Sequence, residues 1–266
     1  MDRPKLYINE NTLQHEIALE FLTKNLLELK WKLNENVLDI GCGPGDVTVK
    51  KLLPLIQDKI NKLIAVDKCS EMVEFANDCY NVPEVEFQIM DIQDSSTCLF
   101  YTEYFNKIFS FMCLHWAVDQ QKVMNNIYSM LKSDGEILIT FLKYNPFFKI
   151  YESLDMEFQK YVKNIMPKPV PTLSSEELKA HIENTGFKII KFEEITKLFT
   201  HKNTSDFLSA MKAVDNMYHI LPKNLHEKYT SIIQKTMIKG WNFIEYSTVG
   251  KLTLKYTIIA IHAIKY

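Results

Sequence analysis

Three acids and three glycines carry the first chemical signal. Asp39, Asp67 and Asp91 each close a short apolar run. Gly41, Gly43 and Gly45 follow the first of them in Asp39-Ile-Gly-Cys-Gly-Pro-Gly45. Glycines at a strand-to-helix turn let the backbone approach a bound molecule closely. The acid beside them suits a cation. A pyrophosphate would be repelled. The third glycine of a dinucleotide Gly-x-Gly-x-x-Gly would fall at position 46, where Asp46 stands, and the Gly-Lys-Ser/Thr of a Walker loop is absent. An ammonium or sulfonium ligand fits, and S-adenosylmethionine carries both. The alternative is a tight turn with no ligand.

Asp67 follows Asp39 by 28 positions (67 − 39) and ends a second apolar run. An acid there accepts hydrogen bonds from both hydroxyls of a ribose; standing alone it would equally well cap a helix. Lys68 is next to it. Met72 either covers an adenine or belongs to the core. Asp91 can accept an adenine amino group and Ile92 can cover a ring face, or Asp91 is a turn residue. Three successive runs ending in acids are harder to explain as turns. His115 and Trp116 follow the fourth run. They are placed at the carboxyl edge of the sheet, where open α/β proteins bind ligands, although a His-Trp pair can also be packing. Gln14 borders the apolar stripe Leu13, Ile17, Phe21 and Leu22 of a helix that Thr12 would cap and that runs to about Trp31.

The elements that must position these residues read as follows. Strands are expected at Val37–Ile40, Lys62–Asp67, Val85–Met90, Lys107–Met112 and Glu136–Phe141. Helices follow at Val47–Ile56 and Val118–Leu131, and Asp134-Gly135 is a turn before the fifth strand. Right-handed parallel crossovers put these strands in one doubly wound sheet. Residues 1–143 thus form a cofactor-binding core. The pattern then becomes aromatic and proline-containing. Residues 144–185 and 203–247 are expected to be helical insertions forming a lid over the sheet edge. Phe147, Phe148, Phe207, Met211 and Trp241 are among their apolar residues. Ser174-Ser-Glu-Glu177 reads as a capping box, with its helix ending near Gly186. Closing strands at 187–199 and 252–265, the last antiparallel, complete a single α/β domain with a seven-stranded, mostly parallel sheet.

Composition narrows the partners. The 266 residues are 47% hydrophobic and 24% charged with a net charge of −2, so a globular core is expected rather than nucleic-acid or anionic-membrane binding. The five cysteines form no Cys-x-x-Cys pair, which points away from a disulfide framework or zinc site and towards free thiols in a reducing, cytoplasmic setting. No apolar run approaches the roughly 20 residues that would insert across a bilayer.

Taken together, the Asp39 loop, Asp67, Met90-Asp91-Ile92 and Phe109-Ser-Phe-Met-Cys-Leu-His-Trp116 resemble class I S-adenosylmethionine-dependent methyltransferases with a Rossmann-like fold. The opening Leu6-Tyr7, Asn11-Thr-Leu-Gln14, Ser70-Glu-Met-Val73, Leu114-His-Trp116, the Asn126–Leu131 helix and Lys255-Tyr256 narrow the resemblance to insect juvenile hormone acid O-methyltransferases. It covers nearly the whole length and is weakest over 144–247. It implies that Asp39, Gly41, Cys42, Gly43, Gly45, Asp67, Lys68, Met72, Asp91, Ile92 and Phe111 hold S-adenosylmethionine. It also implies that Gln14 and Trp116 donate to the carboxylate of a small hydrophobic acid such as farnesoic acid or juvenile hormone acid. His115 would be a third donor, or the base if the acceptor were a phenol. A fatty acid, polyacid or amine acceptor is the rival within the same enzyme class. A non-enzymatic apolar binder and a nicotinamide oxidoreductase fit the acids less well.

Overall fold

The computed structural model describes residues 3–167, 170, 172–240, 244–246 and 251–266. Two helices open the chain, α1 (Arg3–Glu10) and α2 (Thr12–Asn25). Asn11, not Thr12, is the residue before α2, and the helix stops at Asn25 instead of running to Trp31. A 3₁₀ turn, Leu26–Glu28, follows. Trp31 then turns back, its indole donating to the Leu26 carbonyl at 3.3 Å and its ring stacking on Phe109.

The first strand, β1 (Glu35–Ile40), runs into the glycine loop. The helix behind the loop is irregular: a π-turn over Thr48–Leu52 precedes α3 (Leu53–Ile56). Pro54 has no N–H for an i→i−4 bond, so a regular α-helix cannot pass through it unbroken. Then come β2 (Ile60–Asp67), α4 (Ser70–Cys79), β3 (Val85–Ile89), α5 (Ser95–Cys98), β4 (Phe105–Phe111) and α6 (Gln120–Met130). The fifth strand, β5 (Leu131–Leu142), begins well before Glu136. The expected Asp134-Gly135 turn lies inside it. Asp134 adopts φ 62°, and the register against β4 shifts between Phe105 and Lys107.

The rest is α7 (Pro146–Ser153), α8 (Met156–Ile165), α9 (Ser175–Thr185), β6 (Phe187–His201), α10 (Thr204–Val214), α11 (Met217–Ile220), α12 (His226–Gly240), β7 (Ile244–Tyr246) and β8 (Leu252–Lys265). The Ser174 capping box forms with Glu177, and Gly186 ends α9 at φ 112°, a conformation glycine adopts freely. The 203–247 stretch is not wholly helical. Ile244–Tyr246 pairs with Leu252–Leu254 on the side of β8 that β5 leaves unpaired. Trp241 lies outside the described residues.

The sheet order is β3-β2-β1-β4-β5-β8-β6, with β7 added beside β8. Its seven long strands form the mixed sheet of class I methyltransferases, and β8 is antiparallel to both its neighbours. Apolar clusters pack both faces, centred on Ile108 and Ile127 on one and on Phe21 and Leu52 on the other. A separate cluster ties α7, α8, α10, α11 and α12 together, with Phe147, Phe158, Phe207 and Tyr229 at its centre and Trp116 against it. Within that cluster the buried Asp215 accepts from the Tyr151 hydroxyl at 2.6 Å and the Tyr229 hydroxyl at 2.8 Å. No described helix is long and apolar enough to cross a membrane.

Candidate active site

A cavity of about 860 Å³ opens at the carboxyl ends of β1, β2, β3, β4 and β5. One wall comes from the loop after β1. The three loop glycines have positive φ, but for different reasons. A Cβ on Gly41 would meet Cys113 Sγ at 2.2 Å, and one on Gly45 would meet Phe87 Cζ at 2.7 Å. These two positions are closed by packing. Gly43 (φ +54°) has its nearest neighbour, Tyr7 Cε1, at 3.9 Å and borders the cavity. Of the three, only Gly43 leaves open space where a side chain would stand.

The loop amides are already used. Gly41 N and Cys42 N both donate to the Val66 carbonyl, at 2.7 and 3.0 Å. Gly43 N donates to Asp67 Oδ2 at 3.0 Å, and Cys69 N to Asp67 Oδ1 at 2.9 Å. Turned onto β2 in this way, these N–H groups make no nest for a phosphate. Asp67 itself lines the cavity, and each carboxylate oxygen keeps acceptor capacity beyond one amide.

Acidity gathers where cations are few. Asp39 is buried and accepts the Thr48 hydroxyl at 2.6 Å. Burial pushes its carboxyl up to about 6; Thr48 opposes the rise and Asp67 adds to it. Burial also pushes Asp67 up. Asp46 is buried under α2, with Oδ2 accepting from Asn11 Nδ2 at 2.8 Å and lying 2.5 Å from His15 Nε2. Asp46 Oδ1 and Gln14 Oε1 are buried with no hydrogen-bond partner among the described residues. Both residues border a small void of about 20 Å³, together with Asp39, Cys42 and Phe111. Ionisable and orphaned acceptors of this kind fit the N–H donors and positive charge of S-adenosylmethionine.

The opposite wall is built differently. Leu114–Trp116 forms a 3₁₀ turn after β4. The Leu142 amide donates to His115 Nδ1 at 3.4 Å, so the ring proton sits on Nε2. Burial holds the His115 imidazole down to about 3, which keeps it neutral. The Asn145 amide donates to the His115 carbonyl at 3.1 Å. Trp116 stacks on Phe147 with centroids 5.6 Å apart and meets the edge of Phe148. None of the lysines or the arginine that line the cavity is buried. Lys143 is paired with Glu194 at 2.8 Å, and Lys149 and Lys255 are exposed.

The structure therefore brings Gln14, Gly41, Gly43, Asp67, Lys68, Met72, Asp91, Ile92, His115 and Trp116 to one cavity. Asp39, Cys42 and Phe111 lie one layer deeper, on the small void, and Phe111 stacks on Phe109. Gly45 borders neither space. The sequence reading missed Arg3, whose guanidinium donates to Cys69 Sγ and to Asn216 Oδ1 across the cavity mouth. It also missed His201, at the far end of β6, which lines the same cavity. Neither residue stands in a local motif; only folding brings it to the cavity.

This sheet order and an acid-lined strand edge define a class I methyltransferase. Residues 32–237 match the methyltransferase domain family, and the chain belongs to it. It is an S-adenosylmethionine-dependent enzyme. The chain is 29% identical over 238 residues to the juvenile hormone acid O-methyltransferase of Bombyx mori, covering 86% of this chain and 84% of that one. With the enzyme of the same name from Drosophila melanogaster it shares 27% over 239 residues, covering 86% and 80%. The crystal structure of the YcgJ protein from Bacillus subtilis superposes with a TM-score of 0.60 at 18% identity, over 92% of this chain and 98% of that chain, and shares the fold.

Proposed function

We propose that the enzyme transfers a methyl group to the carboxylate of a hydrophobic acid, a sesquiterpenoid such as farnesoic acid or juvenile hormone acid. The observation that carries this reading is the neutral donor wall: Gln14, His115 Nε2–H and Trp116 set among apolar side chains, with no buried cation. The two named relatives act on an acid of that type.

The physics of the transfer is undemanding in acid–base terms. S-adenosylmethionine supplies an electrophilic methyl on a sulfonium. A carboxylate with a pKa of about 4–5 is already ionised at neutral pH, so no base is needed. The residues' task is orientation, which can supply roughly 7–11 kcal/mol. Neutral donors hold the carboxylate without quenching its nucleophilicity as a buried arginine pair would. The Gln14 oxygen is buried without a partner among the described residues, and its NH₂ is the donor proposed for the acceptor carboxylate. Asp67 and Asp91 hold the nucleoside portion and Met72 and Ile92 cover its base, while Asp39 acts from the deeper layer. The helices over 144–185 and 203–240 form the lid. A phenol acceptor, with a pKa of about 10, would need a base at neutral pH; the depressed His115, with Nδ1 engaged, does not fit that role.

The test is methyl transfer from labelled S-adenosylmethionine to farnesoic acid, juvenile hormone acid, lauric acid, trans-aconitate and a phenol, with products identified by mass. A methyl ester from a terpenoid acid is expected. Cofactor binding with no ester from any acid would overturn the proposal.

A further inference from the structure

The cavity does not end in apolar side chains. Its remote end carries a buried histidine. The register of the closing strands measures how remote. Leu142, whose amide holds His115, pairs with Ile258 on β8, and His201 pairs with Leu252 on the same strand. Six residues separate the two positions, or about 20 Å along the strand. Between them the lining includes the apolar Phe199 and Leu254 from the sheet and Ala210 and Val214 from α10, with Tyr256, Thr257 and the exposed Lys255 on the intervening stretch of β8.

His201 is set with care for a residue in such surroundings. Its ring is 5% exposed and meets Phe199 and Phe207 edge-on, at 5.0 and 5.3 Å between centroids. Nδ1 lies 3.3 Å from Asp206 Oδ2, in the first turn of α10, which also accepts the Lys202 amide at 3.1 Å. The carboxylate requires the proton on Nδ1. Burial keeps the ring from taking up a second proton more strongly than Asp206 promotes it. Glu10, the other acid near the ring, is held by the Ser209 hydroxyl. In that tautomer Nε2 is an acceptor. Among the described residues no donor meets it.

We propose that the acceptor acid is elongated and carries a hydroxyl at the end remote from its carboxylate, and that this hydroxyl donates to His201 Nε2. The inference rests on the carboxyl-methylating reading above and ranks its acceptors: an acid with a remote hydroxyl is preferred, and farnesoic acid and juvenile hormone acid, which lack one, are the poorer substrates of the class. An ether or epoxide oxygen at the same place has no hydrogen to give and would face the Nε2 lone pair.

Three matched long-chain acids test it: one unsubstituted, one with a terminal hydroxyl, and one with that hydroxyl capped as a methyl ether. In the wild type, kcat/KM for the hydroxy acid should exceed that for the ether by about 3–10-fold, the value of one neutral hydrogen bond. His201→Phe should erase the preference while still methylating the unsubstituted acid. Asp206→Asn keeps the ring but frees its tautomer, and should bring the ether level with the hydroxy acid. A merely structural role would lower all three rates together. Equal wild-type rates for the hydroxy acid and the ether, or a preference that survives in His201→Phe, would overturn the inference. Failure to esterify any of the three acids while farnesoic or juvenile hormone acid is still esterified would overturn this inference alone; failure with all of them would overturn the carboxyl-methylation reading as well.

Discussion

The two ends of the same sheet treat buried charge in opposite ways. At the amino end, Lys107 Nζ lies 3.1 Å from Glu35 and 3.3 Å from Glu136, and Glu136 in turn meets His262 Nε2 at 3.0 Å. All four residues are buried, and the group is closed on itself. Burial opposes ionisation of Glu136, yet His262, the Lys30 amide and Lys107 together hold its carboxyl below the usual range. At the carboxyl end, Asp39 and Asp67 are pushed up because burial outweighs what opposes it: the Thr48 hydroxyl at Asp39, and the Cys69 and Gly43 amides with Arg3 and Lys68 at Asp67. The Lys107 cluster is neutralised within the chain. Under the function proposed above, Asp39 and Asp67 await a positive charge that the cofactor would bring.

That contrast can be broken at either end. The largest effect is expected from Lys107→Met, which leaves Glu35 and Glu136 facing each other without a cation. Urea unfolding should show a loss of about 3–5 kcal/mol, as for other broken buried ion pairs. An unchanged midpoint would mean the cluster contributes nothing. Next is Asp67→Ala, expected to weaken S-adenosylmethionine binding on the order of 100-fold through the loss of charge-assisted hydrogen bonds worth 1.5–3 kcal/mol each. Calorimetric titration measures it, and wild-type affinity would remove Asp67 from the site.

Gln14→Ala and Trp116→Ala are expected to lower kcat/KM about 10–100-fold, the lower range for deleting one oriented donor, with cofactor affinity unchanged. Wild-type turnover in both would sink the carboxylate clamp.

Smaller effects come with pH. Asp39 has a folded pKa of about 6, above its ordinary 3.8. Its contribution to the stability of the ligand-free protein is thus fully present below about 3.8 and lost as pH rises through about 6. Glu136, held low, contributes stability that is lost as pH falls. A bound cation reverses the preference of Asp39. Cofactor affinity should therefore fall on acidification below pH 6, by up to about tenfold per pH unit. Proton release measured in two buffers checks it, and a flat affinity between pH 5 and 7 would contradict it. Smallest of all, kcat should show no limb near pH 6.5, because His115 titrates at about 3; such a limb would make His115 a base after all.

Legibility followed the range of the interactions. The β1 loop was readable because strand, turn and helix lie within one short segment, and glycines with positive φ declare themselves locally. The capping box at Ser174 and the Gly186 stop were readable for the same reason. Boundaries failed where a distant contact decided them: α2 yields to Trp31 stacking on Phe109, and the Asp134 turn is absorbed into β5 by pairing with β4. The glycines were recognised as a group, yet only packing against Cys113 and Phe87 separates Gly41 and Gly45 from Gly43.

By itself the sequence determined the parallel core and the three acids at its strand ends, since each follows from residue types a few positions apart. Tertiary structure alone decided which atoms face one another. It set Asn11 and His15 on Asp46, turned the Leu142 amide onto His115 and carried His201 into the cavity from the end of β6. Those choices depend on helices and strands meeting across long stretches of chain, where no local spacing records the partner.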